Sequence, residues 1–232
     1  MGGRYWIAMA VRLVVAAVIV GCLVSYIGPG SGEKEFQKTL AAMKQVHSFR
    51  VAFSGGGAGQ VTEMLWEIDC TRGIVHEQSH MVDSSVDPPR EFNRDILSAA
   101  GKEYTRQPDG SWSKGLYGAS TPGIWFCRNL AAGADSNLLP GIATMIRRGV
   151  IQKGDKKMVN GVRCREYRVT LKGGLRGLEH DTVCIGLADS LPYEMTVDWE
   201  GSRSTFSDYN KTLQFDLPEG AVETVSNGGT TN

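Results

Sequence analysis

Nearly everything that marks an enzyme or a nucleic-acid binder is missing from this chain. There is no G-x-S-x-G elbow, no H-E-x-x-H helix and no P-loop. Each of those motifs holds a nucleophile, metal or phosphate at a fixed offset, so no catalytic residue is legible. Net charge is missing too, since 25 basic residues balance 25 acidic ones. No basic stripe interleaved with aromatics points to nucleic acid. Histidine is scarce, with four in all, and His76 and His80 lie four apart. Their flanks, Ile74, Val75, Met81 and Val82, read as strand. On a strand such a pair shares a face but sits about 13 Å apart, too far to share a metal. No cysteine pair has the C-x2-C spacing of a structural zinc site. The expectation is a protein with no catalytic residue, no metal and no cofactor.

Acidic residues are also absent before Glu33, and this shortage says the most. Arg4 and Arg12 precede an apolar run from Leu13 to Leu23, with Cys22 near its end. A basic segment ahead of an apolar stretch is an export signal or a membrane anchor. A plain spanning helix needs about 20 apolar residues, and extending the run backward would bury Arg12. Ile19-Val-Gly-Cys22 resembles a relaxed bacterial lipobox, which would lipidate Cys22. An uncleaved anchor, a lipoprotein and a cleaved signal therefore stay open. All three put the rest of the chain outside the cytoplasm, at the bacterial cell membrane or in the periplasm, because positive charge stays on the cytoplasmic side. Residues 1–28 are expected to form the anchor, 29–32 a Gly-Pro-rich linker, 33–218 one folded domain, and 219–232 a disordered tail.

Oxidising surroundings change the meaning of the cysteines. With Cys22 assigned to the anchor, Cys70, Cys127, Cys164 and Cys184 form an even set, which reads as two disulfides. If Val162–Leu171 pairs with Asp181–Leu187 around Gly173-Gly174, Cys164 falls opposite Cys184. Directly opposed Cβ atoms lie about 4.5–5.5 Å apart, close to disulfide geometry. Cys70 is then left for Cys127.

Glu33 to Val46 repeats its apolar residues, Phe36, Leu40 and Met43, at helical spacing. Asn137 to Gly149 reads as a second helix with Ile142 and Met145 on one face and Gly149 as its stop. Most of the remainder alternates as strand. Phe49, Val51 and Phe53 alternate with polar or small residues, and Val61–Asp69 does the same. Hairpins are expected at Ala100-Gly101 and Asn160-Gly161. Tyr193–Trp199, Arg203–Tyr209 and a closing Leu213–Leu217 complete a meander. A sheet with two helices has more apolar face than the helices cover, and surplus apolar face is the usual setting for an apolar ligand. The expected cavity residues are Leu40, Met43, Phe49, Val51, Phe53, Trp66, Ile142, Met145, Tyr193, Trp199 and Phe206.

The order of pieces carries a resemblance. Leu40-Ala-Ala-Met-Lys-Gln-Val-His-Ser-Phe49 is followed by Gly101-Lys-Glu-Tyr104 and Asp109-Gly-Ser-Trp112. Then come Asn160-Gly-Val-Arg-Cys-Arg-Glu-Tyr167, Leu191-Pro-Tyr193, Phe206-Ser-Asp-Tyr-Asn210 and Leu217-Pro218. Across roughly residues 33–218 this resembles the LolA/LolB-like and LppX-like superfamily of bacterial envelope lipoprotein carriers. The resemblance implies an α+β fold, a strongly curved antiparallel half-barrel with a few helices covering its concave side. It also implies a cavity that holds acyl chains or lipoproteins, and it brings no catalytic residues. The expected function is a membrane-tethered extracytoplasmic module that binds a lipid, acyl chain or other apolar ligand. The rival is a protein-interaction or envelope-signalling module with a closed core and a membrane-protein partner.

Overall fold

The computed structural model describes residues 31–57, 59–114, 127, 149–174, 177–197 and 201–219. They form one helix, α1 (Ser31–Met43), and one antiparallel sheet. The strands are β1 (Ser48–Gly55), β2 (Gln60–Asp69), β3 (Ile74–Asp83), β4 (Arg90–Ala99), β5 (Lys102–Arg106), β6 (Trp112–Lys114), β7 (Gly149–Val159), β8 (Val162–Gly174), β9 (Gly177–Gly186), β10 (Pro192–Val197) and β11 (Ser202–Ser207). Their order is 6-5-4-3-2-1-11-10-9-8-7, an 11-stranded curved sheet that does not close into a barrel. Every neighbour is a hairpin partner except one. β1 pairs with β11, with Val51 opposite Phe206, which joins the two meanders in the middle of the sheet.

Local chemistry explains the hairpins. Asn160 and Gly161 both have positive φ (48° and 79°), as do Ala100 and Gly101 (51° and 74°). Two such residues in succession match the twist of the flanking strands. Helix α1 buries Phe36, Thr39 and Met43, three and four apart on one side. Phe36 packs with Tyr167, Val169, Val183 and Ile185. Met43 and Val46 pack with Phe49, Val51, Ile68, Val75 and Phe206. Each fully buried side chain of this size contributes about 1.5–3 kcal/mol. The first turn of α1 lies so close to β7 that a Cβ at Gly32 would fall 2.5 Å from Ile151 Cγ2. A glycine is needed there.

Several expectations need correction. Leu213–Leu217 is not a strand. It is an irregular segment in which Leu213 is buried and Phe215 and Leu217 pack beside Ile74, Leu97, Ala99 and Tyr104. It lies outside the ladder yet covers its alternate apolar residues wholly or in part, so alternation alone misidentifies it. Gly149 opens β7. The expected helix over 137–148 lies outside the described residues, as do residues 1–28, Cys22 and the tail from 220. Among the described residues no helix is long and apolar enough to cross a membrane.

Both disulfides join the expected partners, Cys164–Cys184 with Cα atoms 5.6 Å apart and Cys70–Cys127 with 5.2 Å. The register of the first differs. Cys164 faces Gly186 and Cys184 faces Glu166, so the bridge is diagonal. The β8–β9 reversal lies beyond Gly174, which pairs with Gly177. Moving the reversal by one residue shifts each partner by two.

Candidate functional site

Alternation along the strands divides the sheet into two unlike faces. On the helix side, β1 presents Phe49, Val51 and Phe53, β2 presents Met64, Trp66 and Ile68, and β11 presents Phe206. At the α1 end this face is closed. Met43, Phe49 and Phe206 are buried together, with Tyr209 stacked on Phe49 at 6.1 Å. At the other end of the same strands Phe53, Met64, Trp66 and Met195 are only half-buried, and Phe53 lies tilted against Trp66 at 6.4 Å.

Polar groups interrupt this apolar face on β3 to β5. Glu77 is 8% exposed and stands opposite Trp66 on one side and Ile96 on the other. Trp66 Nε1 donates to Glu77 Oε2 at 3.0 Å. Ser98 is fully buried, and its Oγ has no hydrogen-bond partner among the described residues.

The opposite face is knit by charge. Arg50 reaches Glu67 at 2.7 Å and Asp208 at 2.6 Å. The bond to Glu67 raises the Arg50 pKa, partial burial opposes it, and Asp208 adds to the rise. His76 sits between Glu67 at 3.1 Å and Asp95 at 2.7 Å. Glu194, 4% exposed, receives Lys157 at 2.5 Å and also a bond from Arg203. Burial pushes the Glu194 carboxyl up, but Lys157 and Arg203 outweigh it and the pKa ends below its ordinary value. Burial likewise works against the Lys157 ammonium, and Glu194 and Glu166 hold it above its usual value. A cavity of about 1140 Å³ opens on this face, with Ala52 and Leu65 in its floor and Gln78, His80, Asn93 and Arg203 around it.

Of the eleven residues expected to line a ligand cavity, Ile142, Met145 and Trp199 lie outside the described residues. Met43, Phe49, Val51, Phe206, Trp66 and Tyr193 come together in one core, and Leu40 joins the Phe36 cluster. Only Phe53 borders the cavity on the charged face. Sequence reasoning missed Glu77 and Ser98 on the apolar face. The signal was present, because Glu77 shares the parity of Val75. It also missed the Glu67–His76–Asp95 ladder, since cross-strand partners depend on register. His76 and His80 share a strand face but serve different partners, His80 bonding Asn93. Among the described residues no group of three His, Cys, Asp or Glu is arranged to hold a metal.

No protein-family profile and no curated protein matches the sequence. Solved structures do. The lipoprotein LppX of Mycobacterium tuberculosis is 14% identical with a TM-score of 0.52, over 79% of this chain and 97% of that one. LprF of Mycobacterium bovis is 12% identical with a TM-score of 0.57, over 81% and 96%. The chain shares its fold with LppX and LprF.

Proposed function

We propose that residues 33–218 form an extracytoplasmic module that binds a lipid, an acyl chain or another apolar ligand. Residues 1–28 tether it to the membrane, and 29–32 are the short linker between them. One observation carries this reading: in an open LppX-like sheet, Phe53 and Met64 continue the apolar helix-side face beyond the packed core that Trp66 and Met195 border, and all four stay half-buried. An acyl chain laid there would gain about 25 cal/mol for each Å² of apolar surface removed from water. No residue is assigned a catalytic role. The tether suits collection of ligands from the module's own membrane rather than transport across the envelope.

The closed packing of Met43, Phe49, Val51 and Phe206 favours the rival, an interaction or signalling module with a filled core and a membrane-protein partner. Lipid extraction and native mass spectrometry of the full chain, purified in mild detergent, distinguish the two. Acyl species bound in stoichiometric amount are expected. A ligand-free protein that co-purifies with a membrane protein would favour the rival.

A further inference from the structure

Glu77 is out of place on an apolar face. A carboxyl group buried to 8% exposure normally has a cation or several donors around it, because an unpaired buried charge is costly. Among the described residues its one bonded partner is the indole N–H of Trp66, on Oε2, and no salt bridge to it occurs. The nearest cation by register is Arg94, two positions along β4 from Ile96 on the same face, and it is exposed and makes no ion pair with Glu77. A second group is left incomplete beside it. Ser98 stands opposite Val75, diagonal to Glu77, at about 7–8 Å for such positions. Its Oγ is buried with no partner among the described residues. Across the next ladder Ser98 faces Glu103, half-buried on the same side. Glu77 and Ser98 are thus diagonal neighbours, and Glu103 lies one strand beyond Ser98. Glu77 adjoins the half-buried stretch through Trp66, its cross-strand partner, while Ser98 and Glu103 fall in the row of Val75, Ile68 and Phe49, toward the packed end.

We infer that this patch receives the polar head of the apolar ligand, and that the head is a hydrogen-bond donor: a hydroxyl, an amide N–H or an ammonium. The inference rests on the lipid-binding reading above. The Glu77 oxygens need donors, so a head that brings an N–H or O–H completes Glu77, while a carboxylate or phosphate head brings only further acceptors. The same alkyl chain therefore binds with a strong preference set by its head.

The test uses the full chain in mild detergent, with the neutral dye N-phenyl-1-naphthylamine as reporter. Dodecylamine, monolaurin and laurate then compete for it, all with the same twelve-carbon chain. Dodecylamine and monolaurin should displace the dye at concentrations about tenfold below laurate, the scale of one buried charge-assisted hydrogen bond. In Glu77→Gln the gap should shrink to about threefold or less, mainly because laurate improves. Ser98→Ala should weaken monolaurin and leave laurate unchanged. If no amphiphile displaces the dye, the lipid-binding reading fails and this inference with it. If all three compete equally in the unaltered protein, the head-group inference alone fails. Should Glu77→Gln not fold by circular dichroism, the order of the three competitors on the unaltered chain still decides.

Discussion

The two faces of the sheet are built from the same strands and held by different forces. The helix side is closed by burial, with Phe36, Met43 and Phe49 at most 1% exposed. The other side is laced by ion pairs, such as Arg50 between Glu67 and Asp208, and Glu194 between Lys157 and Arg203. Apolar burial is large and indifferent to pH, whereas partly exposed ion pairs are small and depend on it. The two faces should therefore fail under different stresses.

The largest effect belongs to the apolar face. Phe49→Ala should cost about 3–5 kcal/mol in urea unfolding, through lost burial and the cavity left behind. Phe53→Ala, at the half-buried end, should cost about 1–2 kcal/mol. Equal losses would mean that the apolar face is packed alike from end to end, and would remove the open stretch on which ligand binding rests. Next come the disulfides, one attached to each part of the chain. Cys70–Cys127 spans 57 residues and Cys164–Cys184 spans 20. Chain-entropy arguments make them worth about 4 and about 3 kcal/mol. Paired Cys→Ser variants, melted under non-reducing conditions, check both the size and the order.

The smallest effect separates the faces most cleanly. Because the folded-state pKa of Glu194 is depressed below its ordinary 4.5, its contribution is fully present above that value. It is lost as pH falls through the folded pKa. Lys157 is the mirror case: raised above 10.5, it stabilises below that pH and fades as pH rises through the folded value. Glu194→Gln should cost about 1–2 kcal/mol at pH 7 and flatten the acid limb of a stability–pH curve. Phe49→Ala should shift the whole curve and keep its shape. An unchanged acid limb in Glu194→Gln would show that the ion pairs carry no weight on the charged face.

Much of this architecture is legible in the chain before folding, and particular residues show where legibility stops. Asn160-Gly161 and Ala100-Gly101 announce their hairpins because so few residues accept positive φ in succession. Phe36, Leu40 and Met43 announce α1 because only a helix brings residues three and four apart onto one side. Leu213–Leu217 was misread because an extended segment held by packing carries the same alternation as a strand. The Cys164–Cys184 bridge forms as expected, but the register around it differs by two residues, because a register follows from where the chain reverses and a run of glycines marks that point only loosely. Glu77 was passed over because it reads as one more polar residue in a strand until its neighbours are known.

The sequence by itself determined what depends on near neighbours along the chain: the turns, the helix, the alternation of the strands and the even set of four body cysteines. Only the tertiary structure decided what depends on residues far apart. The pairing of β1 with β11 joins two meanders about 150 residues apart in the chain into one open sheet. That union buries Phe206 against Val51, gathers Arg50, Glu67 and Asp208 into one ion-pair cluster, and leaves Glu77 inside an apolar face, bonded to the Trp66 indole. Long-range pairing has to offset the entropy of closing the chain between its partners. That balance is struck over the whole fold, so no local window of sequence reveals it.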